Sequence, residues 1–284
     1  MSEAQKIATE LGDLPIDGQW VQAEINRLNR RSVLPLAHVK ELHEWLDEKR
    51  KARQSCRIVG ESRTGKTIAC ESYMLRNKPQ QTGKQTPVVP VVYLMPPSKC
   101  GSKDFFTSIL EYLKYRAVKG TVSDFRSRAM DVLKACEVEM LIVDEADRLQ
   151  PDTFPEVRDI SDKLGIAVVL VGTESLAERL RQRLDAVIKR DEQVHNRFRA
   201  QRRFGKLLGQ EFKDTITIWE NKVSALPVPS NLAKVDTQKL LLKATGGYIG
   251  RLDEILREAA IKSLSRGHKK IEFSILQEVA REYA

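Results

Sequence analysis

The chain has 284 residues, of which 41% are hydrophobic and 31% charged, and it carries a formal net charge of +9. That length and balance suit one large or two modest domains with a real core, and no apolar run approaches the ~20 residues that span a bilayer. The basic excess favours a polyanionic partner, most simply nucleic acid, and leaves open a protein that is merely basic.

The start, Met1-Ser2-Glu3-Ala4-Gln5-Lys6, has no signal-peptide pattern, so a cytoplasmic protein with no membrane partner is expected. Cys56, Cys70, Cys100 and Cys136 form no C-x-x-C and read as reduced, partly buried thiols. His38, His43, His195 and His268 show no zinc-type spacing.

Residues 1 to about 31 read as a polar helix with Trp20, Val21, Ile25 and Leu28 on one stripe. Its closing Arg27, Arg30 and Arg31 read more readily as a solvated face than as an anion contact. Val39, Leu42, Trp45 and Leu46 stripe a second helix, and Lys49, Arg50, Lys51 and Arg53 suit its C-terminal dipole.

Cys56-Arg57-Ile58-Val59 is then a short strand, and Thr67 onward continues as a helix. Between them stands Gly60-Glu61-Ser62-Arg63-Thr64-Gly65-Lys66-Thr67, which spells G-x-x-x-x-G-K-T, the phosphate-binding loop. A triphosphate needs many donors at short range, and successive backbone N–H groups supply them. Gly60 and Gly65 let the loop curl. Lys66 is placed to reach the β- and γ-phosphates, Thr67 to ligate Mg²⁺, and the helix start adds its dipole.

A polar loop follows from Asn77 to Pro87, and Val88–Leu94 is the second strand, with Pro90 hinting at an edge. A helix from about Asp104 presents Phe105, Phe106, Ile109, Leu110 and Leu113. Thr121-Val122-Ser123-Asp124 restarts another with a capping pattern. Lysines flank both starts: Lys99 and Lys103 at the first, Lys119 beside Thr121 at the second. Helix N–H groups with lysines hold DNA phosphates without reading bases; ordinary capping with exposed lysines spells the same way.

Glu139–Val143 is an apolar strand ending in Asp144-Glu145. An acidic pair there completes a nucleotide site, Asp144 for the Mg²⁺ shell and Glu145 to polarise the attacking water. After a helix over 152–163, Ile166–Val171 is the next buried strand, and Thr173 at its tip is a γ-phosphate sensor candidate or a plain strand cap. Glu174–Gln193 is charged and helical in character, and Arg203–Leu207 is a final strand. Strands alternating with helices imply a parallel sheet covered on both faces. Beyond about Gly209 only helical stripes remain, including roughly 236–244, 248–265 and 272–282. Gly246-Gly247-Tyr248-Ile249-Gly250-Arg251-Leu252 turns between two of them.

This combination resembles the AAA+ ATPase family over roughly residues 33–284. The spellings Val59–Thr67, Ile142–Leu149 and Tyr248–Leu252 are similar to the TniB/TnsC transposition regulators, most of all the TnsC members of type V-K CRISPR-associated transposons. The resemblance implies an α/β fold: a P-loop NTPase with a five-stranded parallel αβα sandwich (33–209), an N-terminal helical segment (1–32) and a small all-helical lid (210–284).

It further implies a bacterial, DNA-associated ATPase using ATP and Mg²⁺. Such proteins assemble as rings or helical filaments on double-stranded DNA without sequence preference. They link a TniQ-type target selector and a CRISPR effector complex to a TnsB-type transposase. Residues Gly60 to Thr67 then bind nucleotide, Thr67 and Asp144 the metal, with Glu145 and Thr173 catalytic. Arg251 matches a second sensor. Arg197 matches the trans-acting arginine finger by spelling, with Arg190 as a rival. Lys99, Lys103, Lys119 and Thr121 match the DNA contacts. A helicase loader or replication initiator is the alternative reading, and a scaffold that binds ATP without turnover is a third.

Overall fold

The computed structural model describes residues 18–30, 32–81, 83, 86–115, 119–176 and 197–283. They fall into two units, one spanning Ala37 to Gly205 and the other joining the described residues before Ala37 to residues 206–283. The described part of the expected N-terminal segment, 18–30 and 32, is grouped with the helical residues after 205.

The αβα unit opens with α2 (Ala37–Lys51), counting Gly18–Leu28 of the other unit as α1, and runs through β1 (Cys56–Val59) and α3 (Lys66–Arg76). It continues with β2 (Val91–Leu94), α4 (Ser102–Tyr112), α5 (Val122–Ala135) and β3 (Met140–Val143). After two short 3-10 turns come α6 (Phe154–Leu164), β4 (Ala167–Gly172) and β5 (Gln201–Arg203).

The five strands form one parallel sheet in the order β2-β3-β4-β1-β5. Every residue of β1, β3 and β4 is buried, as a strand covered on both faces requires. Side chains alternate between two cores with the period of a strand. Leu141, Val143, Val168 and Leu170 pack under α4, α5 and α6. Met140, Ile142, Val169 and Val171 pack under α2 and α3. Both flanking strands are edges. Pro90 precedes β2, its carbonyl taking the N–H groups of Glu139 and Met140 (3.0 and 3.1 Å). The last strand is Gln201–Arg203 rather than the expected 203–207, because an edge strand paired only to β1 needs no apolar run.

The helical unit contains α1 with α7 (Gly209–Trp219), α8 (Val235–Thr245), α9 (Ile249–Ser265) and α10 (Phe273–Glu282). One polar network ties it together. Trp219, fully buried, donates its indole N–H to Asp253 (2.7 Å), which also accepts Nε of Arg257 (2.7 Å). Arg257 donates onward to the carbonyl of Leu28, the carbonyl of Arg30 (3.0 Å) and the Ser32 hydroxyl (3.0 Å).

Arg27 donates to the carbonyls of Val223 (2.6 Å) and Ser224. Its reading as a solvated face is therefore corrected. Carbonyls left over where helices end need donors, and these two arginines supply them. Arg31 lies outside the described residues.

All four cysteines are free and buried. Burial pushes the Cys56 thiol up to about 12 and the Cys100 thiol up to about 11, so neither is a ready nucleophile.

Arg257→Ala removes donors from two carbonyls and an ion-pair partner from Asp253. A loss of about 2–3 kcal/mol from the helical unit is expected, read as a lowered urea midpoint in tryptophan fluorescence.

Candidate active site

Parallel strands deliver their C-terminal ends to one side of the sheet, and the site is built there. The phosphate loop leaves β1 and enters α3 at Lys66, with Gly65 at φ 91° in the region that favours glycine. Gly60 is wedged: its N–H donates to the Gly172 carbonyl at the end of β4 (3.2 Å), and a Cβ built on it would lie 2.2 Å from the Phe204 carbonyl oxygen after β5. Only a glycine lets the loop pass between these two strand ends.

Lys66 is buried, at 9% exposure, and folds back into the loop. Its Nζ donates to the carbonyls of Gly60 (2.8 Å) and Glu61 (2.7 Å), and Thr64 Oγ1 stands at 3.5 Å. Thr64, also buried, donates to the Glu61 carbonyl (2.8 Å). Burial pushes the Lys66 ammonium below the ordinary lysine value, against the pull of Asp144, Asp147 and Glu145. A cation held by carbonyl dipoles in partial burial gains from an arriving anion. Glu61, Ser62 and Arg63 are exposed on the loop, Arg63 in the left-handed region at φ 66°, and Thr67 is partly buried in the first turn of α3.

Asp144 follows β3 and is 1% exposed. Its Oδ1 accepts the Glu145 N–H (2.8 Å), its Oδ2 accepts the Tyr93 hydroxyl (2.6 Å), and its own N–H donates to the Leu94 carbonyl (2.7 Å). Burial first, and then the Asp144 charge, push the Tyr93 phenol well above its ordinary value, so it remains a donor. Glu145 sits at φ 47° and pairs with Arg148, whose guanidinium also donates to the Pro96 carbonyl (3.2 Å).

Asp147 joins the β3 end to the β4 tip. It accepts the Thr173 N–H (2.7 Å), the Thr173 hydroxyl (3.3 Å) and the Ser175 hydroxyl (2.8 Å). A Cβ on Gly172 would lie 2.6 Å from Asp147 Oδ2, so a glycine at this tip admits the carboxylate.

The donor set fits a hydrated Mg²⁺. Hard oxygen donors are present in Thr67 and Asp144, and such an ion takes the rest of its shell from phosphates and water rather than from a protein cage. Among the described residues no group of three or more His, Cys, Asp or Glu forms such a cage.

The four candidate nucleic-acid residues gather around two helix starts. Lys103, in the first turn of α4, places Nζ 5.1 Å from the ring centroid of Phe125 in the first turn of α5. The two N-termini therefore lie side by side, with exposed Lys99 in the loop before α4. Lys119 is exposed, and its carbonyl accepts from Arg128 (3.0 Å).

Thr121 caps α5 in a reciprocal box with Asp124, donating its N–H at 2.7 Å. Its backbone N–H, then its hydroxyl, hold the Asp124 carboxyl below the usual carboxylate range. The loop bearing Lys99 is stitched to the acidic turn: Cys100 N–H donates to the Arg148 carbonyl (3.0 Å), and Gln150 N–H to the Cys100 carbonyl (2.8 Å).

Arg197 is not brought to this site in its own chain. It pairs with Asp162 in the last turn of α6, which leads into the opposite, N-terminal end of β4. Arg251 belongs to the helical unit, exposed in the first turn of α9, with its guanidinium 5.2 Å from the Tyr248 ring centroid. Arg190 lies outside the described residues. Tyr93, Asp147, Arg148, Gly172 and Ser175 are the residues sequence reasoning missed; the fourth letter of Asp144-Glu145-Ala146-Asp147 and the glycine before Thr173 were the available signals.

Three comparisons bear on this arrangement. The family model for the bacterial TniB protein matches residues 29–206. No curated protein sequence matches the chain. Among solved structures, the Aeropyrum pernix ORC2 protein (ADPNP-ADP complexes) is similar at a TM-score of 0.66 and 13% identity, covering 91% of this chain and 71% of that one. Drosophila ORC bound to DNA is similar at a TM-score of 0.59 and 16% identity, covering 99% and 74%. At these identities the likeness shows the fold alone.

The wedge at Gly60 makes the site testable. Gly60→Ala is expected to destabilise the αβα unit by about 1–3 kcal/mol and to weaken a fluorescent ATP analogue by roughly tenfold or more. Gly205→Ala, whose Cβ would meet nothing within 4 Å, is expected to change neither thermal melting nor the titration.

Proposed function

The chain belongs to the bacterial TniB family, and on that premise we propose that it is an ATP-hydrolysing regulator of transposition. It assembles as a ring or helical filament on double-stranded DNA, as the TnsC members of type V-K CRISPR-associated transposons do. The observation that carries this reading is the gathering, at one end of one sheet, of a phosphate loop, an acidic strand end and two lysine-bearing helix starts.

The loop amides and Lys66 bind the triphosphate, and Thr67 and Asp144 hold Mg²⁺. Bound Mg²⁺ supplies the positive charge that offsets the charge developing on the transferred phosphoryl. Glu145 accepts the proton of the attacking water. Thr173 orients the γ-phosphate region from the β4 tip, and Arg251 acts as the second sensor. The trans arginine comes from a neighbouring subunit, Arg197 or Arg190. In the assembly, Lys99, Lys103, Lys119 and Thr121 of successive subunits line the duplex, so weak phosphate contacts add up without reading sequence. Hydrolysis loosens the subunit interface and releases the DNA. TniQ-type selectors, a CRISPR effector and a TnsB-type transposase are the partners this reading calls for.

A replication-type function is the second reading, favoured by the fold shared with the two ORC structures. Fluorescence anisotropy of a labelled random duplex separates them. Cooperative binding at least roughly tenfold tighter with ATP and Mg²⁺ than with ADP or no nucleotide is expected. The affinity should fall steeply with salt and little with sequence. Preference for single strands would favour the replication reading, and equal binding in all three nucleotide states would remove the gated assembly. Glu145→Gln is expected to lower ATP turnover by about 10²–10⁴-fold while keeping ATP-gated DNA binding.

A further inference from the structure

We infer that Tyr93 is a positioning residue for the ion held at Asp144, and that its hydroxyl sets how much Mg²⁺ the chain needs to bind ATP. The inference rests on the nucleotide reading above and concerns a residue that takes no part in the phosphate-loop or acidic motifs.

The placement follows from register. Tyr93 on β2 pairs with Ile142 on β3, and Asp144 lies two residues beyond Ile142, on the same face of the sheet. The phenol spans that diagonal and donates to Oδ2 at 2.6 Å. The other oxygen, Oδ1, is fixed by the Glu145 N–H at 2.8 Å. The carboxylate is thus held from both sides and cannot rotate, while each oxygen keeps a lone pair for the water shell of an ion. Mg²⁺ demands near-ideal octahedral geometry, so a ligand held in one orientation binds it at lower concentration. Outer partners of metal ligands commonly affect affinity for this reason. Asp144 is only 1% exposed, so losing the phenol leaves a buried carboxylate oxygen without its side-chain donor.

A second tyrosine supplies the control. Tyr73, on α3 and packed in the same core, donates its hydroxyl to Asp47 (2.8 Å), a carboxylate outside the site. Tyr73→Phe removes a partly buried hydroxyl of the same kind without touching Asp144.

The experiment titrates Mg²⁺ against binding of a fluorescent ATP analogue, with an EDTA arm, for wild type, Tyr93→Phe, Tyr73→Phe and Asp144→Asn. ATP turnover and thermal melting are measured in parallel. For Tyr93→Phe the expected result is unchanged affinity in EDTA and a half-saturating Mg²⁺ concentration raised roughly 10–100-fold. Its kcat should return close to wild type at saturating Mg²⁺, and Tyr73→Phe should follow the wild-type Mg²⁺ curve. Superimposable Mg²⁺ curves for Tyr93→Phe and wild type would overturn the inference. Equal loss with and without Mg²⁺ would overturn it too, because a purely structural role would move both arms. If Asp144→Asn leaves the Mg²⁺ curve unmoved, the metal-site reading itself fails, a different outcome from a silent Tyr93→Phe.

Discussion

The passage of the phosphate loop between the ends of β4 and β5 is the constraint on which the rest of the αβα unit depends. Gly60 donates to the Gly172 carbonyl and lies against the Phe204 carbonyl with no room for a side chain. Three strand ends are thereby locked at one level. Lys66 can then turn inward onto loop carbonyls, and Asp144, two strands away, stands at the same edge. Gly172 takes part twice: its carbonyl receives Gly60, and its bare α-carbon admits Asp147, which fastens the β3 turn to the β4 tip. The site is a consequence of strand ends packed too closely for side chains.

Charge at this edge is balanced by placement. Lys99 and Lys103 gather where two helix dipoles already present positive ends. Asp104 and Asp124 in the same first turns offset part of that potential. Lys103 also spends its ammonium over the Phe125 ring, a contact that places it while leaving its donors available. The loop bearing Lys99 shares backbone hydrogen bonds with the turn bearing Glu145 and Arg148. The basic surface and the acidic turn are thus parts of one hydrogen-bonded structure.

Much of this was legible in the sequence where the chemistry needs neighbouring letters. The phosphate loop and Asp144-Glu145 are spelled contiguously, and β3 and β4 are apolar runs because both faces are covered. Helices α8, α9 and α10 lie within a residue or two of their expected bounds, since amphipathic stripes mark them. What escaped was set by pairing across the fold. Tyr93 meets Asp144, and Asp147 meets Thr173, only through strand register and order. The edge strand β5 carries Gln201, Arg202 and Arg203, which no apolar pattern could reveal. Arg27 reads as solvated until the carbonyls of Val223 and Ser224 are brought beside it.

The ties made by Arg27 and Arg257 bear on the order in which the chain is built at the ribosome. Arg27 reaches a carbonyl 196 residues later, and Arg257 reaches back 229 residues to Leu28. Helix α1 therefore emerges well before its partners, with the whole αβα unit between them. The αβα unit, whose strands and helices all lie between 37 and 205, has its complete sequence long before then. Domains generally fold as units as the chain appears. The helical unit therefore closes after the αβα unit, around a segment made before it, across a long loop whose closure costs entropy.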